Sequence, residues 1–246
     1  STMVDRIVPA TTPDDLDHVA RALGVRDEAA VLTEPFTQWV IEDDFAGPRP
    51  HWERSGVQIV KDAAPWESAK LRLLNGAHSA LAYIGLERGY SYVHQAIGDP
   101  ELRALVYQLM LDEAAPTLPI IPGFSAQAYA EDLIARFTNP TLQHRLQQIA
   151  MDGSQKITQR WLQTLTLNHQ AGRSSPAIIF ALAAWVRHSQ GANGPVDDPK
   201  ATLFAALWKD RDLDQGLKAL FGPGESSLIG PLTPDLVQQL RAALTD

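Results

Sequence analysis

A lysine, an asparagine and a histidine stand as K-x4-N-x2-H at Lys70, Asn75 and His78, with Glu67 three residues ahead of the lysine. In an α-helix each residue advances by about 100°, which sets Asn75 at about 140° and His78 at about 80° from Lys70, all on one side. Leu71 and Leu74 fall in that same sector while Leu73 and Ala77 fall outside it. The polar side is therefore not a plain solvent face. The i, i+3 spacing puts the Glu67 carboxylate within reach of the Lys70 ammonium group.

These residue types suit one kind of chemistry. A lysine serves as a general base when burial or a nearby cation lowers its pKa toward the working pH. An asparagine N–H can hold a carbonyl or developing alkoxide oxygen, and a histidine can hydrogen-bond an adjacent hydroxyl and orient the substrate. Together they suit proton removal from a secondary alcohol as hydride leaves its carbon, which needs no metal. The same spacing fits a structural alternative: a surface Glu67–Lys70 ion pair, an asparagine beside a kink at Gly76, and a histidine satisfied in the core. Spacing leaves both open. There is no HExxH, no pair of histidines four apart and no cysteine, so a zinc site is not expected.

The elements around these residues divide the chain. PDDLDHVARALG opens with Pro and Asp and closes with Gly, the punctuation of a short helix. EPFTQWVIEDDF and GVQIV alternate bulky and polar residues as half-buried strands do, with AGPRP as a loop between them. From about Trp66 the apolar spacing turns helical, with breaks at 98–100, 115–123, 138–140 and 193–199. The longest apolar stretch, PAIIFALAAWV over 176–186, is too short to span a bilayer and reads as a buried helix.

Composition bounds the class. The 246 residues are 45% hydrophobic and 20% charged, enough for a full core. A net charge of -8 with no dense basic run argues against nucleic acid and anionic membrane as partners and for a small polar ligand. The absence of cysteine suits a reducing compartment, and a cytoplasmic location is expected. The start, STMVDRIVPA, has no Met at position 1 and reads as a piece of a longer chain.

KLRLLNGAHSALAYIG resembles the active-site helix of the polyol-specific long-chain dehydrogenases, the mannitol dehydrogenase family, which includes fructuronate reductase (mannonate oxidoreductase) and mannitol 2-dehydrogenase. STMVDRIVPAT, EPFTQWVIEDDF, PHWERSGVQIV, DPELRALVYQLMLDEAAPTL and QIAMDGSQK resemble family segments in the family's order. The likeness weakens after about Gly191. It implies that Lys70 is the general base in alcohol oxidation and the acid in ketone reduction, that Asn75 binds the reacting oxygen, and that His78 positions a neighbouring hydroxyl. It also implies that Glu67 passes the proton between Lys70 and solvent, and that Asp5 and Lys156 contact substrate. The bland readings are an Asp5–Arg6 turn pair and a solvated Lys156.

Family members begin with a Rossmann domain, yet no G-x-G-x-x-G follows a strand here, and the family's second oxyanion asparagine is also missing. The resemblance thus implies a mainly α fold. Residues 63–246 would form the helical C-terminal substrate domain, and residues 1–62 a short mixed α/β segment left from the edge of the Rossmann-type domain. The absent nucleotide-binding domain becomes the expected partner, and the chain alone is expected to be inactive. NAD is the expected hydride partner, with the choice between NAD and NADP resting on residues of that other domain, and no metal. Mannitol 2-dehydrogenases carry an arginine eight residues before the lysine matched by Lys156, where this chain has Gln148. QIAMDGSQK is nearer to fructuronate reductases, which points to D-mannonate and D-fructuronate, with Lys156, Arg145 or Arg160 meeting the carboxylate. The alternatives are mannitol and fructose as substrates, or a non-catalytic helical binding or assembly module.

Overall fold

The protein is described from a computed structural model covering residues 1–224 and 227–245. Its first residues form strand β1 (Thr2–Asp5), where Met3 and Asp5 turn inward and Thr2 and Val4 outward, as the two-residue period of a strand dictates. Helix α1 (Pro13–Leu23) starts at Thr12, whose hydroxyl accepts from the Asp15 N–H while the Asp15 carboxylate accepts from the Thr12 N–H. Gly24 ends it in the left-handed conformation at φ 72°. Strands β2 (Gln38–Glu42) and β3 (Gln58–Val60) complete a sheet of order β1-β2-β3, with β2 antiparallel to β1 and parallel to β3. Met3, Val40 and Ala63 form a small core beneath it, with Trp66 against them.

Beyond the sheet the regular elements among the described residues are helical, apart from an isolated bridge between Tyr92 and Arg145. α2 (Ala64–Ala69), a π turn (Lys70–Asn75) and α3 (Gly76–Glu87) run on without a break. Short α4 (Val93–Gly98) gives way to α5 (Pro100–Gln108), whose N-terminus is capped by Asp99 and preset by Pro100. A second π turn (Leu109–Ala114) ends the α5 run, and α6 (Ala126–Phe137) follows after a loop. α7 (Leu146–Ala150) and α8 (Gly153–Ile157) lead into a third π turn (Thr158–Leu162) and α9 (Gln163–Gln170). α10 (Pro176–Ser189), α11 (Ala201–Asp210), α12 (Leu213–Phe221) and α13 (Pro234–Thr245) complete the chain.

α3 and α10 are the centre of the core. Both are buried around nearly their whole circumference, as helices apolar on every side must be, and alanines at 77, 80, 82, 181, 183 and 184 keep them slim enough to be surrounded. α3 packs on α7 and α10, and α10 packs on α13. The α10 N-terminus is held from outside its own sequence. The buried Glu113 carboxylate, on the second π turn, accepts from the N–H groups of Ala177 and Ile178 at 2.7 and 2.8 Å. The fold is mainly α with a short mixed α/β segment at its start, as the sequence leads one to expect. Among the described residues no helix is long and apolar enough to cross a membrane.

Candidate active site

The helix bearing Lys70, Asn75 and His78 departs from the uniform α-helix assumed from the sequence. Over Lys70–Asn75 it widens to a π turn, and the Gly76 N–H reaches back five residues to the Leu71 carbonyl. A π turn takes up one residue more than an α turn, so one and two turns beyond Lys70 fall about 4.6 and 8.2 residues on. Those distances nearly match Asn75 and His78. The widening therefore draws the three polar residues closer to a single line than regular α geometry would.

Lys70 and His78 both face the start of the chain. The Lys70 ammonium nitrogen donates to the Val4 carbonyl at 2.6 Å, while His78 borders a narrow cleft of about 10 Å³, room for about one water, lined in part by Ile7, Arg136, Phe137 and His144. The surface ion pair expected between Glu67 and Lys70 is absent: Glu67 is exposed and the lysine reaches the strand instead. Nor is His78 a satisfied core histidine. It is buried, stacked on Phe137 at 4.9 Å and edge-on to His144 at 4.9 Å, and its Nε2 has no partner. Burial holds its pKa well below the ordinary histidine value, with the positive charges of Arg160, Arg136 and Lys156 adding to the effect of His144. A neutral imidazole with an unpaired nitrogen can accept or donate one hydrogen bond, but this nitrogen is buried from solvent, so a hydroxyl reaches it only when a neighbouring side chain moves aside.

Asp5 is tied to a different arginine from the one expected. Residues 5 and 6 point to opposite sides of the strand, so the Arg6 guanidinium leaves for the Phe36 carbonyl. Asp5, fully buried, is met by Arg136 from α6 at 2.7 Å and by the Tyr129 hydroxyl at 2.5 Å. Arg136 also pairs with the buried Glu34 at 2.8 Å, and its guanidinium lies over the Phe36 ring at 3.9 Å. Burial alone would lower the Arg136 pKa, but the hydrogen bonds to the two carboxylates overcome it and raise it. The Asp5 carboxylate thus already holds two partners, one of which, Arg136, lines the His78 cleft.

Lys156 and Arg160 approach the same helix from its other flank. The loop before α8 turns at Asp152, the one non-glycine in the left-handed region among the described residues (φ 55°), and Gly153 follows where a Cβ would lie 2.5 Å from both the Tyr83 hydroxyl and Trp185 Nε1. That close approach seats Lys156, whose ammonium donates to the Met151 carbonyl at 2.6 Å. Partial burial and the charge of Arg160 lower its pKa. It is neither the solvated lysine nor a full ion pair, since Asp152 stands 3.9 Å away. Arg160 donates to Ser79 Oγ at 2.6 Å and to the Asn75 carbonyl at 3.4 Å, and burial lowers its pKa to about 10. Arg145 instead lies over the Tyr92 ring, and Gln148 accepts from the Ala10 N–H.

Arg160 is thus bonded to the helix at Ser79 and the Asn75 carbonyl, Arg136 shares the His78 cleft, and Lys156 stands four residues before Arg160 with no bond to it. Sequence reasoning missed Arg136, Tyr129, His144 and Ser79; Ser79 alone carried a signal, standing next to His78. No group of three or more His, Cys, Asp or Glu residues is arranged to hold a metal among the described residues. They also provide no glycine-rich strand-to-helix turn to cradle a pyrophosphate. A larger groove of about 550 Å³ lies along Thr158, Leu162 and Leu167 and is lined by none of Lys70, Asn75, His78, Lys156 or Arg160.

Comparison with known proteins places the chain among relatives of known family. The chain is 45% identical over 242 residues to D-mannonate oxidoreductase of Escherichia coli, covering 96% of this chain and 49% of that protein. It is 41% identical over 207 residues to mannitol 2-dehydrogenase of Aspergillus niger, covering 81% and 42% respectively. The ternary complex of Pseudomonas fluorescens mannitol 2-dehydrogenase with NAD and D-mannitol superimposes with a TM-score of 0.88 at 33% identity, over 99% of this chain and 50% of that one. The chain thus spans about half the length of the relatives it matches. Residues 62–222 match the mannitol dehydrogenase C-terminal domain and residues 1–54 match the mannitol dehydrogenase Rossmann domain, so the chain belongs to the mannitol dehydrogenase family of oxidoreductases.

Proposed function

We propose that this chain is the substrate-binding and proton-transfer half of a metal-independent dehydrogenase interconverting a secondary alcohol of a sugar acid or polyol with its ketone, D-mannonate and D-fructuronate foremost. Residues 63–246 form the substrate domain, and residues 1–62 belong to the edge of the nucleotide-binding domain. The observation that carries the reading is the π turn that lines up Lys70, Asn75 and His78. In oxidation the Lys70 amine takes the hydroxyl proton while the Asn75 amide donates to the same oxygen, which carries negative charge as the C–H bond breaks. His78 holds the neighbouring hydroxyl through its free nitrogen, and Glu67, exposed one turn earlier, returns the proton from Lys70 to solvent. NAD, when bound by the other half of the enzyme, accepts the hydride. Ketone reduction reverses each transfer.

Lys156, a partly buried cation held by no full ion pair, supports a carboxylate-bearing substrate. Likeness to both a D-mannonate oxidoreductase and mannitol 2-dehydrogenases keeps mannitol and fructose as the second reading. The test is turnover of mannonate and of mannitol by the full-length enzyme and by its Lys70→Ala variant. Loss of the base is expected to lower kcat by roughly two to four orders of magnitude. Turnover near the parent level would end the assignment of Lys70, and mannitol oxidised far faster than mannonate would end the sugar-acid preference.

A further inference from the structure

Arg160 is the cation in this molecule with the least evident reason for its place. Its guanidinium is largely buried, yet it forms no ion pair with a carboxylate among the described residues, and its contacts are neutral oxygens, Ser79 Oγ at 2.6 Å and the Asn75 carbonyl at 3.4 Å. Burying a guanidinium without a carboxylate is costly. The next residue acts on the same backbone: Trp161, fully buried, donates its indole N–H to the Gly76 carbonyl at 3.2 Å. Residues 75 and 76 are where the π turn ends and regular α-helix resumes. Arg160 and Trp161 themselves lie in the third π turn, so one widened turn is clasped by another at the position that sets where the Asn75 amide points.

We propose that Arg160 is a positioning residue of the dehydrogenase, holding the end of the Lys70–Asn75 π turn so that the Asn75 amide faces the same substrate oxygen as the Lys70 amine. The inference rests on the proton-transfer reading given above. Arg160 does not touch the substrate; it acts through the Asn75 backbone and Ser79.

The experiment is steady-state kinetics of the full-length enzyme carrying Arg160→Met, Arg160→Lys or Ser79→Ala, alongside Lys70→Ala, with nucleotide affinity measured by fluorescence titration. Misplacement of a reacting group by about an ångström costs on the order of 100-fold, so Arg160→Met is expected to lower kcat by roughly 10- to 100-fold. KM for the sugar substrate and nucleotide affinity stay close to the parent values. Arg160→Lys, which keeps the charge and one donor, recovers part of the loss, and Ser79→Ala shows a smaller fall in kcat at constant KM. A kcat unchanged in Arg160→Met overturns the proposal, as does a raised KM at constant kcat, which would make Arg160 a ligand-binding cation. If Arg160→Met does not bind nucleotide and is misfolded, Ser79→Ala decides: lower kcat at fixed KM supports the clamp and unchanged kcat overturns it. Lys70→Ala separates the two ideas. If it is inactive while the Arg160 variants are not, the clamp alone fails, whereas an active Lys70→Ala removes the reading beneath it.

Discussion

The ammonium nitrogen of Lys70 lies 2.6 Å from the carbonyl oxygen of Val4, so the residue proposed to move the proton is tethered to the first strand, beside Asp5. A substrate hydroxyl must compete with that carbonyl for the lysine. The tether is only half-buried, and water can replace it on either side. Lys70→Met is therefore expected to change the urea-unfolding free energy of the 246-residue chain by about 1 kcal/mol or less. A loss of several kcal/mol would make the lysine a structural strut.

Arg136 holds two buried carboxylates at once, so its removal strands two charges. Arg136→Met is expected to destabilise the chain by about 3–5 kcal/mol, whereas Tyr129→Phe, which takes one hydrogen bond from Asp5, should lose about 2 kcal/mol. Chemical denaturation of the two variants beside the parent measures both. Equal effects would mean that the Asp5–Arg136–Glu34 group is not a unit.

Gly153 is the tightest point near Lys156. Gly153→Ala puts a methyl group 2.5 Å from the Tyr83 hydroxyl and Trp185 Nε1, and two ring systems in a packed core cannot both retreat. The expected cost is about 1–3 kcal/mol, with a shifted Trp185 fluorescence spectrum as the accompanying sign. A parent-like melting curve would show that the core there is looser than described.

His78, His144 and His188 all lie where burial lowers their pKa, His144 to about 4. With the folded-state pKa below the unfolded value of about 6.5, the unfolded chain binds more protons in between, so stability rises with pH there. Stability is full above about pH 6.5 and declines as pH falls from there toward 4. Thermal melts at stepped pH check this, and His144→Phe should flatten the decline. An unchanged melting temperature from pH 7 down to 5 would contradict it.

Much of the frame was open to reading from the chain. Pro13 and Gly24 mark a helix by local rules, the alternation in GVQIV marks a strand, and the apolar run after Pro176 marks a buried helix because no face of it is polar. What stayed hidden depends on distance or on a subtler period. Asp5 and Arg136 are 131 residues apart, and no local pattern links them. Arg6 looked like the partner because it is next in line, yet strand geometry sends it to the other face. The π turn had no signature at all, since an i→i+5 turn uses the same residues as an α-helix. The K-x4-N-x2-H spacing makes sense as one line of groups once the extra residue is counted.

That extra residue can be viewed as an insertion the helix has never healed. Relaxing Lys70–Asn75 to regular α geometry with every residue kept would restore an unbroken i→i+4 ladder and give a more regular rod. Every side chain beyond Asn75 would then swing by about 100° about the helix axis. His78 would turn away from Phe137, Ser79 from Arg160, and the Gly76 carbonyl from Trp161. A smoother helix of the same residues would no longer match its surroundings, so the widened turn, and not only the composition of the segment, fixes which way these groups point.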